Sequence, residues 1–148
     1  MMLMASERLF VDTGYFIARF NPRDQYHRAA RRLASAADES RHLWTTEAVM
    51  LEVCAAFSSP PHRALAMAIW DQFRLERRCR LVAISGPVLE RGVDLFRNRP
   101  DKAWSLTDCI SFVVMSEQGL THALTSDQHF VQAGFRAMLL EEGNGDSS

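Results

Sequence analysis

The chain alternates short apolar runs with longer stretches in which apolar residues recur every three or four positions. Short apolar runs bounded by turn residues are typical of strands, and the longer spacing is typical of amphipathic helices. On this pattern we predict five strands, at residues 9–11, 42–45, 80–84, 122–125 and 138–140. The predicted helices cover residues 15–20, 25–37, 47–57, 63–77, 86–98 and 105–117, followed by a short helix that ends near Gly134.

Strands that alternate with helices of roughly 10–15 residues indicate β-α-β units and a parallel sheet. The strands contain few polar residues, as expected when helices cover both faces of the sheet. The predicted fold class is therefore α/β, a three-layer α/β/α sandwich around a parallel-stranded sheet. With 148 residues, of which 47% are apolar, the chain is long enough for one domain with its own core. We assign this domain to residues 1–140 and expect residues 141–148 to form a flexible C-terminal tail.

Membrane, secreted and zinc-binding classes of protein are not supported by the sequence. No stretch approaches the roughly 18 consecutive apolar residues that a membrane helix needs. The first ten residues contain Glu7 and Arg8 in place of a long apolar segment, so we expect no secretory signal and a cytoplasmic location. The cysteines, at positions 54, 79 and 109, form no closely spaced pair and have no histidine at ligand spacing, so neither a disulfide framework nor a structural zinc site is expected.

Three acidic residues are predicted to lie at one edge of the sheet. Asp12 comes directly after the first predicted strand, Asp127 follows the fourth, and Asp108 lies in the first turn of a helix. In parallel α/β folds, ligands bind beyond the carboxyl ends of the strands. We therefore expect these three carboxylates to share one crevice.

The fourth candidate acid, Glu52, lies within residues 48–57, a helical segment that is apolar on nearly all sides. Such a helix is expected to be buried. A buried carboxylate costs several kcal/mol unless a cation or hydrogen bonds compensate its charge. We therefore predict that Glu52 is buried and faces the same crevice. Glu47 lies roughly 140° away around the helix and is not expected to share the site.

Each of these acids also has a local structural interpretation. Asp108 can close a capping box with Ser105, Asp127 can cap a helix, and Asp12 can be a turn residue. Glu52 can be a partly exposed helix residue that pairs with an arginine. The convergence of all four on one edge of the sheet favours a shared cation site over four separate structural roles.

Four clustered carboxylates repel one another unless a divalent cation lies between them, and an all-oxygen set suits Mg²⁺ or Mn²⁺. Such ions activate water and stabilise the leaving oxygen of a phosphodiester, so the predicted reaction class is metal-assisted hydrolysis of nucleic acid. Three hydroxyl residues beside the acids, Thr13, Thr107 and Ser126, are candidates for orienting carboxylates, water or phosphate. Local turn and cap hydrogen bonds are an equally good interpretation of these hydroxyls.

The charge distribution of the chain fits either a polyanionic substrate or an ordinary solvated surface. A net charge of −1 argues against a strongly basic nucleic-acid-binding protein. Setting the four candidate acids aside leaves more basic than acidic side chains. An acidic crevice in a mildly basic surface fits a polyanion drawn to a metal site and a plain solvated surface equally well.

Four segments of the chain form a recognisable pattern: residues 9–14 (LFVDTG), Glu52 in a helix after residues 44–46 (WTT), residues 105–112 (SLTDCISF) and residues 124–130 (LTSDQHF). In their order and spacing, these segments resemble the PIN domain family, and in particular its VapC-type ribonuclease toxins of type II toxin–antitoxin systems. The resemblance extends over about residues 9–140. It implies an RNase H-like α/β/α sandwich with a Mg²⁺ or Mn²⁺ site.

Residue by residue, the resemblance implies that Asp12 and Asp108 are the primary metal ligands and that Glu52 and Asp127 complete the acidic cluster. It also implies that the chain is a metal-dependent endoribonuclease that acts as a toxin. Members of this group form homodimers and are silenced by a cognate VapB-type antitoxin that blocks the site, so we expect both partners here, together with RNA and without a membrane.

The alternative function is a catalytically weak PIN-like module that binds RNA or a protein partner. All four acids are present, which favours activity over this alternative. Cleavage of DNA or flap structures would use the same metal chemistry, although the chain is short for the additional arches that such nucleases carry. Which RNA is cut, and at what sequence, is not specified by the sequence.

Overall fold

The computed structural model describes residues 8–36 and 41–146 of the chain. Five strands form one sheet in the order β3-β2-β1-β4-β5, and every described pair of neighbours is parallel. The strands are β1 Arg8–Val11, β2 His42–Thr46, β3 Cys79–Val82, β4 His122–Leu124 and β5 Arg136–Ala137. Helices flank the sheet, which confirms the predicted α/β class with a parallel sheet.

Eight α-helices lie within the described ranges, and a 3₁₀ turn at Pro60–His62 precedes the fourth of them. They are α1 Thr13–Phe20, α2 His27–Ala36, α3 Glu47–Ala56, α4 Arg63–Leu75, α5 Gly86–Asn98, α6 Leu106–Gln118, α7 Gln128–Gln132 and α8 Met138–Asp146. Apart from the last strand and α8, the described bounds lie within about two residues of the prediction, which is the usual uncertainty of element ends.

The C-terminal segment differs most from the prediction. Residues 138–140, predicted as the fifth strand, begin α8, and the strand itself is the preceding pair Arg136–Ala137. A short apolar run fits a buried strand and a buried helical turn equally well, so its pattern alone does not separate them. The predicted tail from residue 141 is helical as far as Asp146. Residues 147–148 of that tail, and the predicted helix end at residue 37, lie outside the described residues.

The core holds α6 firmly against its neighbours. The ring of Phe112 on α6 packs edge-on against Trp104 and Phe130, with ring centroids 5.0 and 4.9 Å apart. On the other side of α6, Gly92 allows α5 to approach closely, because a Cβ at that position would lie 2.6 Å from Cγ1 of Ile110. This packing fixes the helix whose first turn carries Asp108.

The sheet order creates a crevice between β1 and β4. From β1 the chain adds β2 and β3 on one side, and it then crosses to the other side to add β4 and β5. Strands β1 and β4 meet at their carboxyl ends, where the amide of Asp12 donates to the carbonyl of Leu124 at 3.2 Å. Ligands of open parallel sheets bind at such a reversal of strand order.

The cysteines are free thiols, and none of them lies in that crevice. Cys79 and Cys109 are buried and Cys54 is half-buried. Burial raises the pKa of Cys79 to about 11, so this thiol stays protonated at neutral pH. Among the helices described here, none combines the length and the apolar character needed to cross a membrane.

Candidate metal and active site

Asp12 lies where β1 ends and α1 begins, and it is almost completely buried, with 8% of its surface exposed. The hydroxyl of Thr125 donates to its Oδ2 at 2.8 Å. Burial raises the pKa of Asp12 to about 7; hydrogen bonds from Thr125 and the Thr13 amide oppose this rise, and the charges of Asp108 and Asp127 add to it. Asp12 is therefore a carboxylate whose ionised form needs a nearby cation.

Thr125, the first residue after β4, is fully buried and connects two of the acids. Its hydroxyl donates to Asp12 and accepts a hydrogen bond from the amide of Asp127 at 3.1 Å. The sequence pattern predicts Thr125 as part of the fourth strand and does not mark it as a site residue. The available signal was its polar side chain at the carboxyl end of an apolar strand.

Asp108 serves as a helix cap and as a member of the site at once. Its side chain accepts from the amide of Ser105, and its own amide donates to the Ser105 hydroxyl, which completes the predicted capping box at the start of α6. The Oδ2 atom of Asp108 also lies 3.1 Å from Nδ1 of His129. The structural interpretation of Asp108 is therefore confirmed, and it is compatible with a place in the cleft.

Asp127 likewise combines the two roles. Its Oδ1 accepts from the amide of His129 at 2.8 Å and so caps the short helix α7. The same oxygen lies 3.3 Å from Nδ1 of His129. Atoms of Asp108, Asp127 and His129 that are able to bind a metal all lie within 4.8 Å of one another. His129 lies within the LTSDQHF segment, but the sequence pattern alone does not mark it as a site residue.

The predicted burial of Glu52 is wrong. Helix α3 buries Ala48, Val49, Met50 and Val53, whereas Leu51 and Glu52 are exposed, Leu51 to 61%. Helix α3 therefore carries apolar side chains on most of its sides, but the described part of the chain does not cover all of them. Glu52 nevertheless reaches the predicted crevice, where its Oε1 accepts a hydrogen bond from the Thr13 hydroxyl at 2.7 Å.

The neighbouring acid on the same helix, Glu47, lies elsewhere, as predicted. Its Oε1 accepts from the amide of Ile84 at 2.7 Å, just beyond the end of β3. It borders a separate depression, together with Trp70 and Arg80. The two glutamates of α3 thus serve different parts of the molecule.

Two of the three predicted hydroxyl residues are at the site. Thr13 and Ser126 border the cleft, as do the four acids. Thr107 is not among the residues that border it; its carbonyl accepts from the Ser111 hydroxyl within α6. The cleft has a volume of about 510 Å³, and its described lining is Asp12, Thr13, Gly14, Glu52, Ala103, Ser105, Asp108, Thr125, Ser126, Asp127 and His129.

This donor set fits a hard divalent cation such as Mg²⁺ or Mn²⁺. The protein holds one oxygen of each acid through a hydrogen bond: from Thr125 to Asp12, from Thr13 to Glu52, from the Ser105 amide to Asp108 and from the His129 amide to Asp127. In the described part of the chain, no hydrogen bond engages the second oxygen of Glu52, Asp108 or Asp127. No lysine or arginine is among the described lining residues, so the protein itself leaves most of this negative charge uncompensated.

Comparison with known proteins finds the same fold and a related sequence. Two curated relatives are the 23S rRNA-specific endonuclease VapC20 of Mycobacterium tuberculosis, from strains CDC 1551 / Oshkosh and ATCC 25618 / H37Rv. Each is 28% identical over 128 residues, which cover 86% of this chain and 95% of the relative. The crystal structure of M. tuberculosis VapC20, a sarcin-ricin loop cleaving toxin, matches with a TM-score of 0.75 and 25% identity over 86% of this chain and 95% of that chain.

The family model of the PIN domain matches residues 9–136, a span that contains all four acids of the cleft and nearly the whole described sheet. The matched span therefore includes both the reversal of strand order between β1 and β4 and the acids that lie beside it. On the strength of this match, the chain belongs to the PIN domain family.

Proposed function

We propose that the chain is a metal-dependent endoribonuclease that hydrolyses RNA phosphodiester bonds and acts as the toxin of a toxin–antitoxin pair. The observation that carries this proposal is the cleft in which Asp12, Glu52, Asp108 and Asp127 come together without a lysine or arginine among the described lining. Two relatives named for endonuclease action on 23S rRNA support RNA as the substrate. That RNA is therefore the first defined substrate to test.

The residues of the cleft divide into groups with distinct tasks. Asp12 and Asp108 are assigned as the primary ligands of Mg²⁺ or Mn²⁺, with Glu52 and Asp127 completing the site. A divalent ion held there would supply the positive charge that activates water and stabilises the leaving oxygen of a phosphodiester. Thr125 orients Asp12 by a hydrogen bond, which limits the rotation of that carboxylate before any ion is bound.

Thr13 and Ser126 border the cleft. Thr13 already donates to Glu52, so its oxygen remains free to accept a hydrogen bond from water. Ser126 lies next to the Asp127 cap, and a Cβ at Gly14 would lie 3.8 Å from its Oγ. We assign both hydroxyls to the orientation of water or of a substrate phosphate.

The partners expected from the sequence belong to the same proposal. We infer that the chain forms a homodimer in the cytoplasm and is silenced by a VapB-type antitoxin that blocks the cleft. The similarity to VapC20 over most of both chains supports the antitoxin partner. We propose that the functional domain lies within residues 1–140, and helix α8 continues beyond this limit to Asp146.

The proposal is tested by incubating the chain with total RNA and with isolated 23S rRNA, in Mg²⁺, Mn²⁺ or a chelator. The matched variants are Asp108→Asn, which keeps an acceptor for the capping box but removes the charge, and Asp71→Asn at an exposed position of α4. We expect discrete fragments that require the metal, disappear with Asp108→Asn and persist with Asp71→Asn. Circular dichroism tests whether both variants are folded.

Two results would contradict the proposal. Intact RNA in every sample containing metal would favour the alternative, a PIN-like module that binds RNA or protein without useful catalysis. Equal cleavage by Asp108→Asn and the unaltered chain would show that the fragments do not arise from this cleft.

A further inference from the structure

His129 contacts two acids that belong to different parts of the fold. Asp108 is fixed by the first turn of α6, whereas Asp127 lies in the connection between β4 and α7. Nδ1 of His129 lies 3.1 Å from Oδ2 of Asp108 and 3.3 Å from Oδ1 of Asp127. The imidazole is half-buried, at 29% side-chain exposure, and borders the cleft. One ring nitrogen therefore lies within 3.3 Å of two carboxylates that are held by separate elements of the fold.

The two oxygens next to Nδ1 are those that the backbone already holds. Oδ2 of Asp108 accepts from the Ser105 amide at 3.1 Å, and Oδ1 of Asp127 accepts from the His129 amide at 2.8 Å. The imidazole is thus placed on the anchored side of both carboxylates. The other oxygen of each, which no described hydrogen bond engages, remains available to a cation.

We propose that His129 is a positioning residue of the metal site, donating Nδ1–H to Asp108 and Asp127 and so holding them at the separation that a divalent ion requires. This inference rests on the proposed function, since it assigns a task at the same site. Two like charges repel, and without a donor between them the carboxylates would turn or move apart before an ion arrives. Hydrogen-bond donors behind ligating groups change metal affinity by roughly 10–100-fold in other metal sites.

A direct ligand role makes a different prediction. If Nδ1 bound the ion itself, it would present a lone pair and would no longer donate to either carboxylate. A nitrogen ligand would also favour Mn²⁺ over Mg²⁺ more strongly than oxygens alone. In the positioning role the imidazole nitrogen stays outside the coordination sphere. Replacing His129 should therefore weaken the binding of Mn²⁺ and of Mg²⁺ to a similar extent.

The experiment measures binding of Mn²⁺ to the full chain by electron paramagnetic resonance, in the absence of RNA. Four proteins are compared: the unaltered chain, His129→Ala, His129→Asn and, as a control on the exposed side of the same helix, Val131→Ala. An Asn side chain places its amide N–H close to the position of Nδ1. We expect roughly 10-fold weaker binding in His129→Ala, substantial recovery in His129→Asn and no change in Val131→Ala.

Three results would overturn the positioning role. They are unchanged Mn²⁺ affinity in a folded His129→Ala chain, no recovery in His129→Asn, and a directly coordinated histidine nitrogen in the spin-echo spectrum of the Mn²⁺-bound unaltered chain. Thermal unfolding in a chelator identifies any variant that fails to fold, and His129→Asn then supplies the comparison.

Failure of the inference is distinguishable from failure of the proposed function. If the unaltered chain binds Mn²⁺ and cleaves RNA while His129→Ala binds equally well, only the role of His129 is wrong. If the unaltered chain binds neither Mn²⁺ nor Mg²⁺, the metal-dependent nuclease proposal itself is wrong.

Discussion

The floor and the rim of the cleft contain the same chemical pair in two different environments. At the floor, Thr125 donates to Asp12 at 2.8 Å, and both residues are buried. At the rim, Thr13 donates to Glu52 at 2.7 Å, and Glu52 is exposed. The hydrogen bonds are nearly identical, yet burial raises the pKa of Asp12 to about 7 despite its bond. One threonine does not replace the water that a buried carboxylate loses, so the floor depends on a cation far more than the rim does.

The largest expected difference between floor and rim is in catalysis. Asp12→Asn removes the buried charge assigned to the primary metal ligand, so we expect metal-dependent RNA cleavage to fall on the order of 100-fold or more. Glu52→Gln removes a more exposed charge, for which we expect a loss on the order of 10-fold. Cleavage rates at saturating Mn²⁺, with Asp71→Asn as the control, measure both. Equal losses of cleavage rate in the two variants would show that the burial of an acid does not determine its contribution to catalysis.

A smaller difference is expected in how stability depends on pH when a chelator removes all metal. Because the folded chain holds the Asp12 carboxyl with a pKa of about 7, against 3.8 in the unfolded chain, the folded state retains a proton that the unfolded state has lost over that interval. The contribution of Asp12 to the free energy of unfolding therefore decreases as pH rises from about 4 to 7, and the penalty is complete above 7.

The matched variants isolate this contribution. We expect Asp12→Asn to be more stable than the unaltered chain at pH 8 by a few kcal/mol, with a smaller gain at pH 5. Glu52→Gln, at an exposed acid of the same cleft, is the matched control. Chemical denaturation at the two pH values measures each difference, and a gain for Asp12→Asn that is the same at both would contradict the burial of an ionised carboxylate.

The smallest expected difference concerns the two hydroxyls. Thr125→Val removes the hydroxyl that donates to Oδ2 of Asp12 and accepts from the Asp127 amide. Because these groups are buried or partly buried, the change should lower the free energy of unfolding by about 1–3 kcal/mol. Thr13→Val removes a bond that water replaces at the rim, so we expect a change within about 0.5 kcal/mol. Urea denaturation of the metal-free proteins measures both changes. Similar losses of unfolding free energy in the two variants would contradict the difference between the buried and the exposed threonine–carboxylate pair.

The position of the acids was predictable because it follows from topology. Asp12 and Asp127 come after strands of a parallel sheet, and parallel strands bring their carboxyl ends to one edge. Asp108 was recognisable from the capping box, since Ser105 and Asp108 have the required spacing. Local spacing and strand direction determine these positions, and both can be predicted from the amino-acid sequence.

Burial and long-range hydrogen bonding were not predictable in the same way. The apolar character of α3 suggested that Glu52 was enclosed, but exposure depends on which elements pack against each side, and Leu51 is left uncovered. The task of Thr125 depends on a partner far along the chain, and that of His129 on two carboxylates from separate elements. The last strand was misplaced because residues 138–140 are a short apolar run, and such a run fits a buried strand and a buried helical turn equally well.

The bond between Thr125 and Asp12 joins residues 113 positions apart, and it has a consequence for how the chain is made. A growing polypeptide leaves the ribosome from its amino end, so Asp12 and Glu52 emerge long before β4 has been synthesised. Until β4 pairs with β1, Asp108 and Asp127 have no fixed place beside them. The acidic cluster is therefore assembled only after β4 has been synthesised and has paired with β1, and a ribosome that is still translating the segments before β4 is exposed to an incomplete cleft.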